Sequence, residues 1–297
     1  MRNTIMITLL TGLLLMALAV SSTAGPGEDG LKISRNIAYR TDTGSRRGLT
    51  ALDVYAPEGA VRLPVVMMVH GGGWSIGDKS NGSNGLEKGR FFCDEGYVYV
   101  SVNYRLSPAV QHPAHIEDVA AAYAWISENI SDFGGDPEHI SIMGHSAGAH
   151  LVALLGADER WLEAHGLPLN DIDAVICLDG AGYDIPERMS KPLSRLLRRF
   201  MTDAFGDDGS LWEDASPILQ IDSEQVYPPY LILYTARVEG RNQSSSLAET
   251  LQAAGGYAAT HQASDKTHGT VNSDIGKPHE WLTEMVLSFL QARKLQD

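Results

Sequence analysis

A chain of 297 residues with 43% hydrophobic and 20% charged residues has the material for one large core or two smaller ones. It is too apolar and too varied for a disordered tail, a collagen-like repeat or a disulfide-stapled mini-protein. Its 23 Lys and Arg against 37 Asp and Glu leave a formal charge of −14, the wrong sign for a general nucleic-acid or anionic-membrane surface, so no nucleic-acid partner is expected.

Residues 1–24 carry the three parts of a secretory signal: Arg2, an apolar run over 5–20, and Ser22-Thr23-Ala24 before a cut. The expected reading is cleavage and export to a secreted or periplasmic location. An uncleaved anchor is the alternative, because the run is only slightly shorter than the roughly 18 residues of a spanning helix. No later segment is apolar enough to cross a bilayer. Export would allow a disulfide, but Cys93 and Cys177 lie in no CxxC or CxxH pattern and read as two separate, partly buried small residues.

Beyond the signal, strands and helices alternate, which is the pattern of a mainly parallel sheet covered on both faces. The first strand is expected near 52–55. The run over 65–69 is continuous, apolar and β-branched or Met, suited to a strand buried on both faces. A helix is expected near 86–95, a strand over 97–103, and a strong helix from Pro113 to Ile130, with Ile116, Val119, Tyr123 and Ile126 on its core face. Turn chemistry over 133–137 precedes a short strand at 140–143, and a helix starts at about Ser146. Further strands are expected at 175–178 and 230–234, and helices at 247–254 and 281–290. Residues 183–226 are too long for an ordinary connection and are expected to form a small helical cap insertion. Lys191, Arg195, Arg198 and Arg199 make that segment locally basic, with Leu193, Leu196, Leu197 and Phe200 between them. It reads as a covering helix with a solvated face, or else as a surface for an anionic partner. One domain over 25–297 is expected; the sequence assigns no oligomeric state.

The most specific motif is Gly144-His145-Ser146-Ala147-Gly148, a G-x-S-x-G lying between an expected strand and an expected helix. A sharp strand-to-helix turn exposes the serine oxygen there, and small neighbours let the backbones approach. A serine hydroxyl is a weak nucleophile that needs a base and a site for the developing oxyanion. His70-Gly71-Gly72-Gly73-Trp74, just after the 65–69 strand, supplies the second: successive glycines let backbone N–H groups converge without Cβ obstruction. Gly72 and Gly73, with Ala147, are the expected oxyanion donors. Trp74 is a candidate pocket wall, Asp78 and Lys79 a candidate ion pair beside the loop, and Arg105 a candidate anchor for loop carbonyls. The histidines make no metal site of the H-E-x-x-H kind, and no Gly-rich nucleotide fingerprint is present.

With these motifs in place the chain resembles the α/β-hydrolase superfamily, and within it the serine carboxylesterases of the hormone-sensitive-lipase-like and feruloyl-esterase-like (BD-FAE-like) groups. The resemblance runs through His70 to Trp74, Gly77-Asp78-Lys79, Asn103-Tyr104-Arg105-Leu106, the helix of Asp118, Gly135-Asp136-Pro137 and the serine motif to the region of His268, Asn272, Ile275 and Gly276. It implies a mostly parallel twisted sheet with the site at the carboxyl ends of its strands, and a small-molecule ester cleaved through an acyl-enzyme without metal or organic cofactor. The triad order in this fold is serine, acid, histidine. His268 stands at the family's histidine position, in preference to His261 and His279. The family's usual acid position, the turn after the 230–234 strand, reads Thr235-Ala236-Arg237-Val238-Glu239-Gly240 and lacks the aspartate. Asp179, one strand earlier, is the expected acid, with Glu239 as the alternative and Asp184 as a weaker third. Two other readings stay open: an amide-cleaving hydrolase such as an arylformamidase or peptidase, and an inactive binding module on the same scaffold.

Overall fold

The computed structural model describes residues 30–41, 44 and 48–294; the expected signal over 1–24 lies outside the described residues. Eight strands form one sheet: β1 (Leu31–Ala38), β2 (Ala51–Pro57), β3 (Leu63–Val69), β4 (Val98–Val102), β5 (Gly135–His145), β6 (Ile172–Leu178), β7 (Tyr230–Tyr234) and β8 (Ala258–Gln262). Their spatial order is β1-β2-β4-β3-β5-β6-β7-β8, antiparallel at the β1-β2 and β2-β4 pairs and parallel from β4 to β8. From β3 the chain runs outward to β4 on one side and then to β5 on the other. The crevice at such a reversal, outside the carboxyl ends of the strands, is where ligands bind in open α/β sheets.

The helices are α1 (Leu86–Asp94), α2 (Ala114–Asn129), α3 (Ala147–Ala157), α4 (Arg160–Glu163), α5 (Ile185–Ser190), α6 (Arg195–Phe205), α7 (Gly209–Asp214), α8 (Pro217–Gln220), α9 (Val238–Ala253), α10 (Thr270–Ser273) and α11 (Trp281–Lys294). Side chains of β3 alternate between two cores. Val65, Met67 and Val69 join residues of α2 and α3, whereas Val66 and Met68 join Phe92 of α1 and Leu282 and Val286 of α11. The continuous apolar runs of the parallel strands are thus explained by burial on both faces. Among the described residues no helix is long and apolar enough to cross a membrane.

Several expectations need revision. The first strand is β1, not the 52–55 segment; it is an edge strand with exposed Lys32 and Arg35, a register shift between Ser34 and Ile37, and Asn36 at φ 57°, so no clean alternation marks it. Helix α9 begins at Val238, nine residues before the expected start, because its first turns are polar. Glu239 therefore sits in a helical first turn. Lys79 pairs with Asp53, Nζ to Oδ1 2.8 Å, while Asp78 accepts from the Ser80 N–H and the Asn103 side chain. The 183–226 segment holds four short helices, α5–α8. Cys93 and Cys177 are both free and buried, and burial pushes both thiols up to about 12.

Helix α3 crosses β3 at Gly148, where a Cβ would lie 2.2 Å from the Val69 carbonyl oxygen and 2.7 Å from that of His70. Both atoms are backbone and cannot turn aside. Gly148→Ala is expected to lower unfolding free energy by about 1–3 kcal/mol, read as a lower denaturant midpoint at unchanged m-value; an unchanged midpoint would contradict this packing.

Candidate active site

Ser146 stands between β5 and α3 at φ 56°, ψ −115°, a backbone region that L-residues rarely occupy. Its N–H donates to the Leu178 carbonyl at 3.0 Å, tying the turn to the end of β6. The crowding that forces this turn is visible at Gly71, where a Cβ would lie 3.0 Å from that of Ser146. The serine Oγ is thereby lifted clear of the sheet.

His268 lies in the loop between β8 and α10, with Nε2 3.0 Å from Ser146 Oγ and Nδ1 2.7 Å from Asp179 Oδ2. The Nδ1–H donates to the carboxylate, which leaves Nε2 free to accept from the serine hydroxyl. The loop is fixed from two sides. His145 Nε2–H donates to the His268 carbonyl at 2.7 Å, and burial pushes the His145 imidazole down to about 4, keeping it neutral. Below it, the buried Lys88 donates to Asn272 O at 2.7 Å and Oδ1 at 2.9 Å, and Asn272 donates to Asn84.

Asp179 follows β6 at φ 46° and is fully buried; its N–H donates to the Leu233 carbonyl at 2.7 Å. Aspartate is among the few residues that tolerate this left-handed conformation. Oδ1 accepts from the Thr235 N–H at 2.9 Å and the Thr235 hydroxyl at 3.1 Å. Oδ2 accepts from Arg237 Nε at 3.0 Å and faces its Nη2 at 2.8 Å. Burial alone would raise this carboxyl; the bonds from His268 and Thr235 and the Arg237 charge outweigh it, and the group ends below the ordinary carboxylate range. The turn after β7, which lacks an aspartate, thus supplies Thr235 and Arg237 as donors to Asp179 at the end of β6. Neither Thr235 nor Arg237 stands out in the sequence as a functional residue; the missing aspartate at that turn is the only signal that could have drawn attention to them.

Glu239 does not contact His268. Its carboxylate lies 3.6 Å from Lys191 Nζ and 4.0 Å from Arg188 Nη1. Asp184 caps α5 through the Glu187 N–H. His261, on β8, packs on Trp281 with ring centroids 5.0 Å apart. His279 precedes α11 at φ 58°.

Gly72, Gly73, Ser146, Ala147, Asp179 and His268 line one cavity of about 430 Å³. Gly72 at φ 124° and Gly73 at φ 58° hold a loop conformation that a side chain would strain, and a Cβ on Gly73 would lie 2.6 Å from the Phe200 ring. The apolar wall comes from Trp74 and, on α6, Leu196, Leu197, Phe200 and Met201. Trp74 donates Nε1–H to His150 Nδ1 at 3.2 Å, and His150 Nε2–H donates to the Ala215 carbonyl at 2.7 Å. That chain ties the glycine loop to the 183–226 segment. Arg105 holds the Asp118 carboxylate, Nε to Oδ2 2.7 Å, and the Ala114 carbonyl at 3.2 Å.

The BD-FAE family model matches residues 52–251. Esterase LipQ of Mycobacterium tuberculosis is 33% identical over 237 residues, which are 77% of this chain and 55% of LipQ. Carboxylesterase NlhH from the same species is 30% identical over 248 residues, 78% of this chain and 75% of NlhH. The chain thus spans about half the length of some curated relatives it matches. Among solved structures, a truncated carbohydrate esterase from gut microbiota superimposes with a TM-score of 0.74 at 21% identity, covering 92% of this chain and all of that one. An esterase from Pyrobaculum calidifontis gives a TM-score of 0.66 at 26% identity, covering 82% of this chain and 80% of its own. With its strand order, its serine turn and this match over most of the sheet, the chain belongs to the BD-FAE family and carries the α/β-hydrolase fold.

Proposed function

We propose that the protein is a serine carboxylesterase that works through an acyl-enzyme. The observation that carries this reading is the continuous hydrogen-bonded line Ser146 Oγ, His268 Nε2, His268 Nδ1, Asp179 Oδ2, with steps of 3.0 and 2.7 Å across the ring, opening into the 430 Å³ cavity. In the proposed reaction Ser146 Oγ attacks the ester carbonyl carbon as His268 Nε2 takes its proton. The carbonyl π-electrons move to oxygen, where the N–H groups of Gly72, Gly73 and Ala147 receive the charge. Collapse breaks the bond to the leaving alkoxide, which takes the proton from Nε2. Water then repeats the sequence on the acyl-serine and releases the acid. Asp179 keeps the ring in the tautomer that accepts at Nε2 and stabilises the imidazolium once formed.

The apolar wall of α6 suits short to medium acyl chains, since a cavity of this size takes only a small ligand. We further propose that residues 1–24 direct export and are removed, on the strength of Arg2, the apolar run and Ser22-Thr23-Ala24.

Ser146→Ala is expected to abolish covalent labelling by a fluorophosphonate and reduce p-nitrophenyl ester turnover to background; labelling retained at another residue would refute the assignment. Asp179→Asn is expected to lower kcat by up to about 10⁴-fold, whereas Glu239→Gln stays within a small factor of wild type on neutral esters, and the reverse order would reassign the acid. N-terminal sequencing of exported protein should begin at Gly25; an intact Met1 terminus on a membrane-bound form would favour the anchor.

A further inference from the structure

Arg188, in the last turn of α5, lines the same cavity as Ser146 and His268. Its side chain is only 9% exposed, yet its buried Nη1 has no hydrogen-bond partner. The nearest opposite charge is Glu239, whose Oε2 lies 4.0 Å away and is itself buried without a hydrogen-bond partner. That distance is an ion pair and not a hydrogen bond. The other guanidinium that lines this cavity among the described residues, Arg237, is spent on Asp179. A buried guanidinium left with an unmet donor in a ligand cavity is costly unless a ligand completes it.

A second observation concerns the rim. Ser194, Leu196, Leu197, Phe200 and Met201 of the same segment face the cavity, while Arg195 and Arg198 beside them are exposed. Among the described residues, the only ion pair made by an α6 arginine is that of Arg199 with Asp203, at 3.4 Å. Lys191 adds another cation, held by Glu187 and Glu239. In a chain of formal charge −14 this mouth is a local cationic field, and such a field raises the local concentration of anions.

We infer that the substrate is an ester that carries a second, anionic carboxylate group, bound by Arg188 at the α5–α6 end of the cavity. This rests on the esterase reading above and narrows its substrate class. A carboxylate accepts two parallel N–H bonds from a guanidinium fork, and it balances a wall where Arg188 and Lys191 pair with Glu239 and Glu187 while Arg195 and Arg198 add exposed positive charge. A neutral hydroxyl or carbonyl would meet one donor and leave the charge. Glu239 opposes the bound carboxylate and so limits its affinity, while the Lys191 ammonium, 3.6 Å from Glu239, partly offsets the Glu239 charge.

The test compares kcat/KM for mono-p-nitrophenyl glutarate with that for its methyl ester and its terminal carboxamide, and for para-acetoxybenzoate with its methyl ester, which puts the charge in the leaving half. A preference for the anion in either series, lowered about 10- to 100-fold in Arg188→Met and partly restored in Arg188→Lys, is expected from the loss of a charge-assisted bond. Glu239→Gln should raise the same ratio. The exposed double variant Arg195→Gln/Arg198→Gln, which leaves the core untouched, should reduce the ratio at low salt and flatten its ionic-strength dependence. Equal rates for acid, methyl ester and carboxamide in wild type, or ratios unmoved in all variants, would overturn the inference while leaving the esterase reading intact. Absence of both labelling at Ser146 and hydrolysis of any neutral ester would instead defeat the esterase reading itself.

Discussion

A carboxylate placed at the end of a central strand, with no access to water, has to be satisfied completely by the protein around it. Asp179 meets that condition with donors from two other segments, the turn after β7 and the loop after β8. The Thr235 N–H, the Thr235 hydroxyl, the Arg237 guanidinium and the His268 Nδ1–H are therefore fixed relative to one another by a single group. Loss of any one leaves lone pairs unmet in a low-dielectric place, so the orientation of the imidazole is not an independent choice of its loop. Parallel pairing of β6 with β7 sets the spacing, since Leu178 faces Leu233, and Asp179, one residue on, meets Thr235, two residues on.

The other half of the site depends on the reversal of strand order at β3, whose neighbours β4 and β5 both run parallel to it. Because β4 and β5 lie on opposite sides of β3, the chain leaves β3 and β5 at the same edge, with the glycine loop and the serine turn side by side. Close contact is then obligatory. Gly148 in α3 packs on the carbonyls of Val69 and His70, and Gly71 packs on His145 and Ser146. The left-handed Ser146 backbone is the consequence, held by its bond to Leu178, so β6 supports both Ser146 and Asp179.

The parts of this arrangement that were readable in sequence are those in which one residue type is demanded by its immediate neighbours. The doubly buried strands read as apolar runs, and the serine turn and glycine loop read as small-residue clusters at strand ends. His268 and Asp179 were legible only through their place in chain order. What escaped was set by contacts across long separations. Edge strand β1, with a register shift and a left-handed Asn36, has no alternation to detect, and the polar start of α9 resembles a loop until it packs through Gly240, Gln243 and Ser244. Lys79 sits next to Asp78 but pairs with Asp53, because its ammonium is buried beside β2 while Asp78 is taken by Ser80 and Asn103. Arg237 and Arg188 look alike in sequence and both line the cavity, yet only the fold bonds Arg237 to Asp179 and leaves Arg188 Nη1 without a hydrogen-bond partner.

The 183–226 segment is unevenly attached, and that unevenness has a consequence. Its rear is pinned: Asp214 accepts from His112 at 2.8 Å and pairs with Arg160 at 2.9 Å, the Ala215 carbonyl accepts from His150, and Phe205 packs on Trp74 with ring centroids 4.8 Å apart. Burial pushes His150 down to about 3, so this anchor stays neutral, and its two hydrogen bonds persist, across the whole physiological pH range. Its front, the start of α6, has no comparable hold among the described residues. Leu196 is 61% exposed and Arg195 and Arg198 point to solvent, although Leu196 borders the same cavity as Ser146. Under the proposed reaction, a wall pinned at the glycine loop and bonded less at the opposite rim keeps the oxyanion geometry constant while the far end of the substrate varies. On that reading, positioning of the glycine loop and selection of the substrate fall to different parts of one insertion, and a sequence change at the front of α6 is expected to alter selection without moving Ser146, His268 or Asp179.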